Sequence, residues 1–184
     1  TERPGFRRLK TNRVVPNIYL SPNTLTQRME GPKCSGSVCI DLSKMKDGDC
    51  AGFAAFNSDT GSLTVKKNGK KLVLEMGEQK VELSDRDKEV TNCEEKVIES
   101  VELKQDKIWL RIDADFRPGE GGRRFGGADM ATFYYSLDGE QWTKIGSDYR
   151  MGFDWRRFFM GSKFGIFCYA TKKKGGYVDI GEFC

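Results

Sequence analysis

Histidine is absent from the 184 residues. That excludes Ser–His and Cys–His nucleophile systems and imidazole metal sites, each of which needs a ring nitrogen. Proline is scarce, at five residues. No apolar run approaches the ~18 residues that would span a bilayer, which argues against a membrane partner. No charged-then-apolar leader opens the chain, which begins at Thr1-Glu2-Arg3-Pro4 as an excised module would. Lys plus Arg (31) exceeds Asp plus Glu (27) by a net charge of only +4, too little to imply a polyanionic partner. None of the six cysteines (Cys34, Cys39, Cys50, Cys93, Cys168, Cys184) forms a Cys-x-x-Cys pair, so a zinc site is not indicated. Cys50 and Cys168 sit inside apolar runs, where a thiol acts as a small hydrophobe. Buried free thiols are therefore favoured over disulfides.

What is present is glycine, 21 residues of it, set between short apolar runs. Val38 to Leu42, Ala51 to Phe56, Lys96 to Lys104, Lys163 to Ala170 and Tyr177 to Ile180 read as strands. Asn68-Gly69 joins Leu63–Val65 to Lys71–Met76 as a hairpin. Ala131 to Ser136 joins Trp142 to Ile145 across Asp138-Gly139, with Trp142 expected to pack beneath the turn. Ile108 to Phe116 alternates, placing Trp109, Arg111, Asp113 and Asp115 on one face and Leu110, Ile112, Ala114 and Phe116 on the other. About ten strands at short spacing read as an all-β sandwich, a single domain over 1–184. Gly-rich Arg117 to Gly127 reads as a flexible loop, and Met151 to Phe159 has room for one helical turn.

With no histidine, carboxylates are the remaining acid–base groups. Asp113 and Asp115 share a strand face about 7 Å apart, a separation that suits an inverting pair. Nothing in their surroundings suggests a raised pKa, so a charged exposed face is the stronger reading. Asp47, Asp49, Asp129 and Asp179, at turns or strand ends, offer oxygens of the kind a structural calcium takes, though ordinary turn aspartates explain them more simply. Arg123-Arg124, Arg156-Arg157 and Lys172-Lys173-Lys174 are scattered beside glycines, a solvated surface rather than a nucleic-acid stripe. Aromatics make up 11% of the chain. Sugar rings lay their C–H faces on such rings, with amide and charged groups bonding the hydroxyls. Trp109, Trp155, Tyr134, Tyr177 and Phe125, with Arg111, Asp113 and Gln27 as polar partners, are the candidates for that chemistry.

Several segments in order resemble one family. Arg3-Pro4-Gly5-Phe6-Arg7-Arg8-Leu9 is similar to "RPGYLRL", and Asn23-Thr24-Leu25-Thr26-Gln27-Arg28 to "NTLTQR". Asp47 to Phe53 resembles "GDYAGL", and Phe133 to Gly139 with Trp142 matches "F-x-YS-x-DG-x-x-W". Phe159 to Phe167 resembles "FMGYRFGLF", and Gly175 to Asp179 "GGYVD", with Gly181 and Glu182 departing before Phe183. Together they resemble the C-terminal module of family 43 glycoside hydrolases, β-xylosidases and arabinofuranosidases. The resemblance implies a concanavalin A-like (jelly-roll) β-sandwich of two antiparallel sheets. It also implies a non-catalytic role in binding xylan or xylo-oligosaccharide, with Trp109, Arg111, Asp113, Tyr134, Gln27 and Tyr177 as the ligand-binding set. The alternative is a structural domain packed on a β-propeller catalytic domain and shaping its active-site rim. Either way the module would belong to a larger bacterial enzyme, secreted or cytoplasmic, covalently linked to the catalytic domain. Such modules usually carry a further N-terminal strand before the Arg3-Pro4-Gly5 segment, so an edge is expected to be unpaired or closed differently.

Overall fold

The computed structural model describes residues 3–86, 89–118, 129–152 and 161–184. Within them the chain forms β1 (Arg7–Lys10), β2 (Thr24–Arg28), β3 (Lys33–Asp41), β4 (Asp49–Phe56), β5 (Thr60–Asn68), β6 (Lys71–Leu83) and β7 (Val90–Leu103). There follow β8 (Lys107–Asp115), β9 (Met130–Ser136), β10 (Thr143–Lys144), β11 (Tyr149–Arg150), β12 (Lys163–Ala170) and β13 (Tyr177–Phe183). A single 3₁₀ turn, Ile18–Leu20, is capped by the Asn17 side chain, which accepts from the Leu20 amide at 3.2 Å.

All the strand pairings are antiparallel, and they build two sheets. The seven-stranded sheet runs β1-β13-β3-β8-β9-β10, with β11 also on β9; the six-stranded sheet runs β2-β12-β4-β5-β6-β7. The two inner faces meet over one core. Val38, Ile40, Ile108, Leu110, Ile112 and Phe133 come from the first sheet, and Phe53, Leu63, Val65, Leu74, Met76 and Phe164 from the second. This is the two-sheet sandwich expected, and Asn68-Gly69 does turn β5 into β6, with Gly69 at φ +59°.

The strand list differs from the sequence reading in several places. β1 and β2 were not expected; β2 shows no alternation because four of its five residues are exposed. Both lie at sheet edges, β1 paired to β13 and β2 to β12. β6 and β7 run on to 13 and 14 residues; the far half of β6 still alternates, with Gln79 and Val81 buried, while the facing half of β7 is largely exposed. Residues 119–127 of the Gly-rich loop and 153–159 of the expected helical turn lie outside the described residues.

The outer face of the six-stranded sheet is not left to solvent. Segment 13–20 lies over it, burying Val15 and Ile18 against Cys50, Ala54, Phe167 and Tyr169 as a second small core. That is why β4 and β12 read as continuous apolar runs: both of their faces are covered. All six cysteines are free thiols, with Cys39, Cys50 and Cys168 buried.

Gly52 shows how tightly this layer is built. A Cβ there would stand 1.9 Å from the Leu63 carbonyl oxygen and 2.9 Å from the Phe167 ring. Gly165 on the adjacent strand would place its Cβ 3.3 Å from the Phe56 Cβ, a contact small shifts relieve. Gly52→Ala is therefore expected to cost about 2–3 kcal/mol, read as a lowered urea midpoint, and Gly165→Ala under about 1 kcal/mol. Equal costs would contradict this account of the β4–β5 contact.

Candidate functional site

β8 lies between β3 and β9, and its period of two decides what faces solvent. Ile108, Leu110, Ile112 and Ala114 are buried between the sheets; Trp109, Arg111, Asp113 and Asp115 point away from the core. The strand register then sets the neighbours. Trp109 lies beside Cys39 and Ser136, Arg111 beside Ser37 and Tyr134, and Asp113 beside Ser35 and Thr132.

Arg111 is the centre of this face. Its Nε and Nη2 donate to the two oxygens of Asp113 at 2.7 and 2.9 Å, a bidentate pair. The Ser35 hydroxyl donates to the same carboxylate at 2.6 Å. The guanidinium carbon lies 5.7 Å from the Tyr134 ring centroid and 5.8 Å from that of Trp142, within reach of a cation–π attraction to each. The Asp113 hydrogen bond raises the guanidinium pKa, so the cation is permanent. Both partners remain about one-third exposed, so the pair adds little stability and its polar atoms can be reached from solution.

Trp109 plays a different part. Gly139, at φ +85°, is the turn residue whose Cβ would stand 3.0 Å from the Trp109 ring, and Lys107 Nζ lies 4.6 Å from the ring centroid. Its indole is thus a seat for the 136–139 turn. The sequence reading gave that position to Trp142; Trp142 is instead half-buried next to Arg111. The turn itself is held by Asp138, which accepts from the Glu140 and Gln141 amides, and by the Ser136 hydroxyl, which accepts from the Gly139 amide.

Of the residues expected to bind ligand, Trp109, Arg111, Asp113 and Tyr134 are brought together on this face. Tyr177 shares the outer face but sits on β13, beyond β3, with the Arg8 guanidinium 3.9 Å over its ring. Gln27 is on the other sheet, where it lines a groove with Arg7, Leu25, Phe164, Ile166 and Phe183. Phe125 and Trp155 lie outside the described residues. Trp142 is the neighbour that sequence reasoning did not assign to the face. Its place opposite Arg111 depends on the path of residues 136–144, which no alternation pattern marks.

The carboxylates are engaged as ion-pair partners. Asp115 accepts from Arg117 at 2.8 Å and lies 3.3 Å from Lys33 Nζ; the Arg117 hydrogen bonds hold its carboxyl far below the usual range. A general acid needs the opposite shift, so Asp115 does not fit that role. Asp47 accepts from the Gly69 amide and Lys172, Asp49 from the Lys46 amide, and Asp179 from Arg8. No group of three or more His, Cys, Asp or Glu that could hold a metal ion occurs among the described residues. Lys172 pairs with Asp47, while Arg123, Arg124, Arg156 and Arg157 lie outside the described residues.

A second ion-pair set closes the other side of the same face. Arg8 Nε and Nη2 donate to Asp179 at 2.7 and 3.0 Å, and Arg3 bridges Asp41 at 2.6 Å and Asp179 at 3.4 Å. These contacts tie the N-terminal segment and β1 to β13 and β3. The Arg8 hydrogen bonds hold the Asp179 carboxyl below its usual range, against the opposing effect of burial.

The family model described as "Beta xylosidase C-terminal Concanavalin A-like domain" matches residues 1–184. The chain belongs to this family. A bifunctional GH43-CE protein of Bacteroides eggerthii superposes with a TM-score of 0.82 at 36% identity, covering all of this chain and 21% of that one. A family 43 glycoside hydrolase engineered to display both endo-xylanase and exo-arabinofuranosidase activity superposes with a TM-score of 0.85 at 33% identity, covering 97% and 33%. A β-xylosidase of Formosa agariphila is 25% identical over 209 residues, covering all of this chain and 30% of that protein. The chain therefore spans a third or less of each.

In this β-xylosidase-type C-terminal domain, the segments carrying the resemblance are also those that lock strands in place. Arg3 and Arg8 meet the Asp179 of Gly175–Asp179, Asp49 is buried in its turn, and Gly139 sits on Trp109. Asp179→Asn is expected to lower stability at pH 7 by about 2 kcal/mol. The carboxylate contributes above its unfolded pKa of about 3.9 and loses that contribution as pH falls through its lower folded value. The stability gap between wild type and variant, from urea unfolding, should thus shrink from pH 7 to pH 2. A gap independent of pH would show that the ion pair is not its source.

Proposed function

We propose that this domain is a non-catalytic accessory module that reversibly binds xylan or xylo-oligosaccharide and holds a covalently linked family 43 catalytic domain on that substrate. The observation that carries the reading is the outer face of the seven-stranded sheet. There a guanidinium–carboxylate pair lies beside two partly exposed aromatic rings, Tyr134 and Trp142, with Ser35, Ser37 and Thr132 alongside. Sugar rings offer alternating C–H faces and hydroxyls, and the patch offers aromatic rings and charged hydrogen-bond partners together. Weak binding suffices, because a tether of this kind gives effective substrate concentrations of order millimolar. The relatives named for β-xylosidase, endo-xylanase and exo-arabinofuranosidase activities support xylan as the polysaccharide.

A second reading has its own observation. The groove of about 440 Å³ beside β2, where Leu25 is 40% exposed next to Phe164, Ile166 and Phe183, gives an apolar seat for a neighbouring domain. A purely structural module packed on a catalytic propeller would use such a surface and would bind no sugar by itself.

Calorimetric titration of the isolated domain with xylohexaose and soluble arabinoxylan separates the two. The binding reading predicts saturable heat, none with a mixed-linkage glucan, and a weakening of about five- to tenfold in Arg111→Ala or Tyr134→Ala, equivalent to about 1 kcal/mol. No heat with any xylan would leave the structural reading.

A further inference from the structure

The six-stranded sheet carries a second recess, unrelated to the face just described. Lys66 on β5 stands opposite Val73 on β6, and Val73 stands opposite Glu102 on β7. Glu95 lies seven residues along β7 from Glu102, about 23 Å in a straight strand. Yet Lys66 Nζ lies 3.1 Å from both Glu95 carboxylate oxygens, and 2.7 Å from Glu75. The β6–β7 ribbon must therefore arch over the sheet, and its register breaks between Met76 and Gly77, where such bending is accommodated. Segment 13–20 forms the opposite wall.

Between these walls lies a cleft of about 340 Å³, lined by Asn17, Leu20, Gln79, Asn92, Glu95 and Tyr169 among others. That volume lies within the range of small-molecule sites, about 300–1,000 Å³. Gln79 is 3% exposed, and its Oε1 has no hydrogen-bond partner. A buried acceptor left unpaired is unfavourable, and a ligand hydroxyl would satisfy it. Tyr169 sits in the floor with its ring stacked on Phe167 at 6.0 Å. Amide, carboxylate and phenol together supply both donors and acceptors, the requirement of a polyhydroxylated ligand. Glu95 is the charged residue among those lining the cleft, and its carboxylate disfavours anions.

We propose that this concave cleft is a saccharide subsite that takes a neutral sugar unit, with Gln79, Asn92 and Glu95 bonding its hydroxyls and Tyr169 beneath the ring. It shares with the proposed function the xylan-type ligand but none of the residues. The concave shape between two walls suits a chain end or side-chain sugar.

The test is an NMR titration of the whole domain with xylotriose, and with xylotriose carrying a glucuronate branch. The Gln79 and Asn92 side-chain amide signals should shift saturably with the neutral sugar and at least fivefold more weakly with the acidic one. Asn92→Ala, at an exposed position, should weaken the neutral sugar's Kd at least fivefold without moving the unfolding temperature. Tyr134→Ala should leave the cleft shifts unchanged. Unmoved cleft amides overturn the subsite; if Trp142 and Arg111 signals shift in the same titration, the open-face reading survives alone. If nothing shifts, both fall. Equal response to the acidic sugar, or an Asn92→Ala variant that binds as the wild type does, also overturns it.

Discussion

The two-residue alternation of β8 is the constraint on which the rest of this domain depends. Ile108, Leu110, Ile112 and Ala114 are held between the sheets by neighbours on both sides, Val38 and Ile40 of β3 and Phe133 and Ala131 of β9. A slip of one residue would drive Arg111 and Asp113 into that core. The cost of burying unpaired charge there is several kcal/mol. The core therefore fixes the outward face as firmly as it fixes itself. The same logic, applied where both faces are covered, turns β4 and β12 into continuous apolar strands and leaves the six-stranded sheet under a lid of its own chain.

Charge is used in two ways on the outer surface. Near the N-terminus, Arg3 and Arg8 grip Asp41 and an almost buried Asp179, joining distant parts of the chain through charge-assisted bonds. At the centre of β8, the Arg111–Asp113 pair joins residues only two apart and is half in water. The first arrangement holds strands together. The second contributes little to holding anything, and it presents a pre-oriented donor and acceptor beside two aromatic rings. That contrast is the physical reason to propose the ligand face at Arg111 rather than at Tyr177, whose ring is already covered by Arg8.

Much of this was legible in the sequence because it follows from short-range pattern. The β8 alternation, the Asn68-Gly69 hairpin and the Asp138-Gly139 turn are local signals, and the ordered motif segments carried the family. What was illegible depends on how distant segments meet. β2 has no alternation to read, since its residues are edge-exposed. The curl of β6–β7 brings Glu95 to Lys66, a contact that no spacing in either strand announces. Gln27 looked like a partner of Trp109 as long as the sheet assignment was open; β2 belongs to the opposite sheet. The exchange of roles between Trp109 and Trp142 has the same origin: both flank one turn, and only the path of residues 136–144 decides which indole lies under it.

The most direct test of the central claim is a crystal structure of the domain with xylohexaose. The account predicts a chain lying across the outer face of the seven-stranded sheet, in contact with Tyr134 and Trp142, its hydroxyls bonded to Arg111 and Asp113. A well-ordered ligand seated only elsewhere, with that face bare, would contradict it.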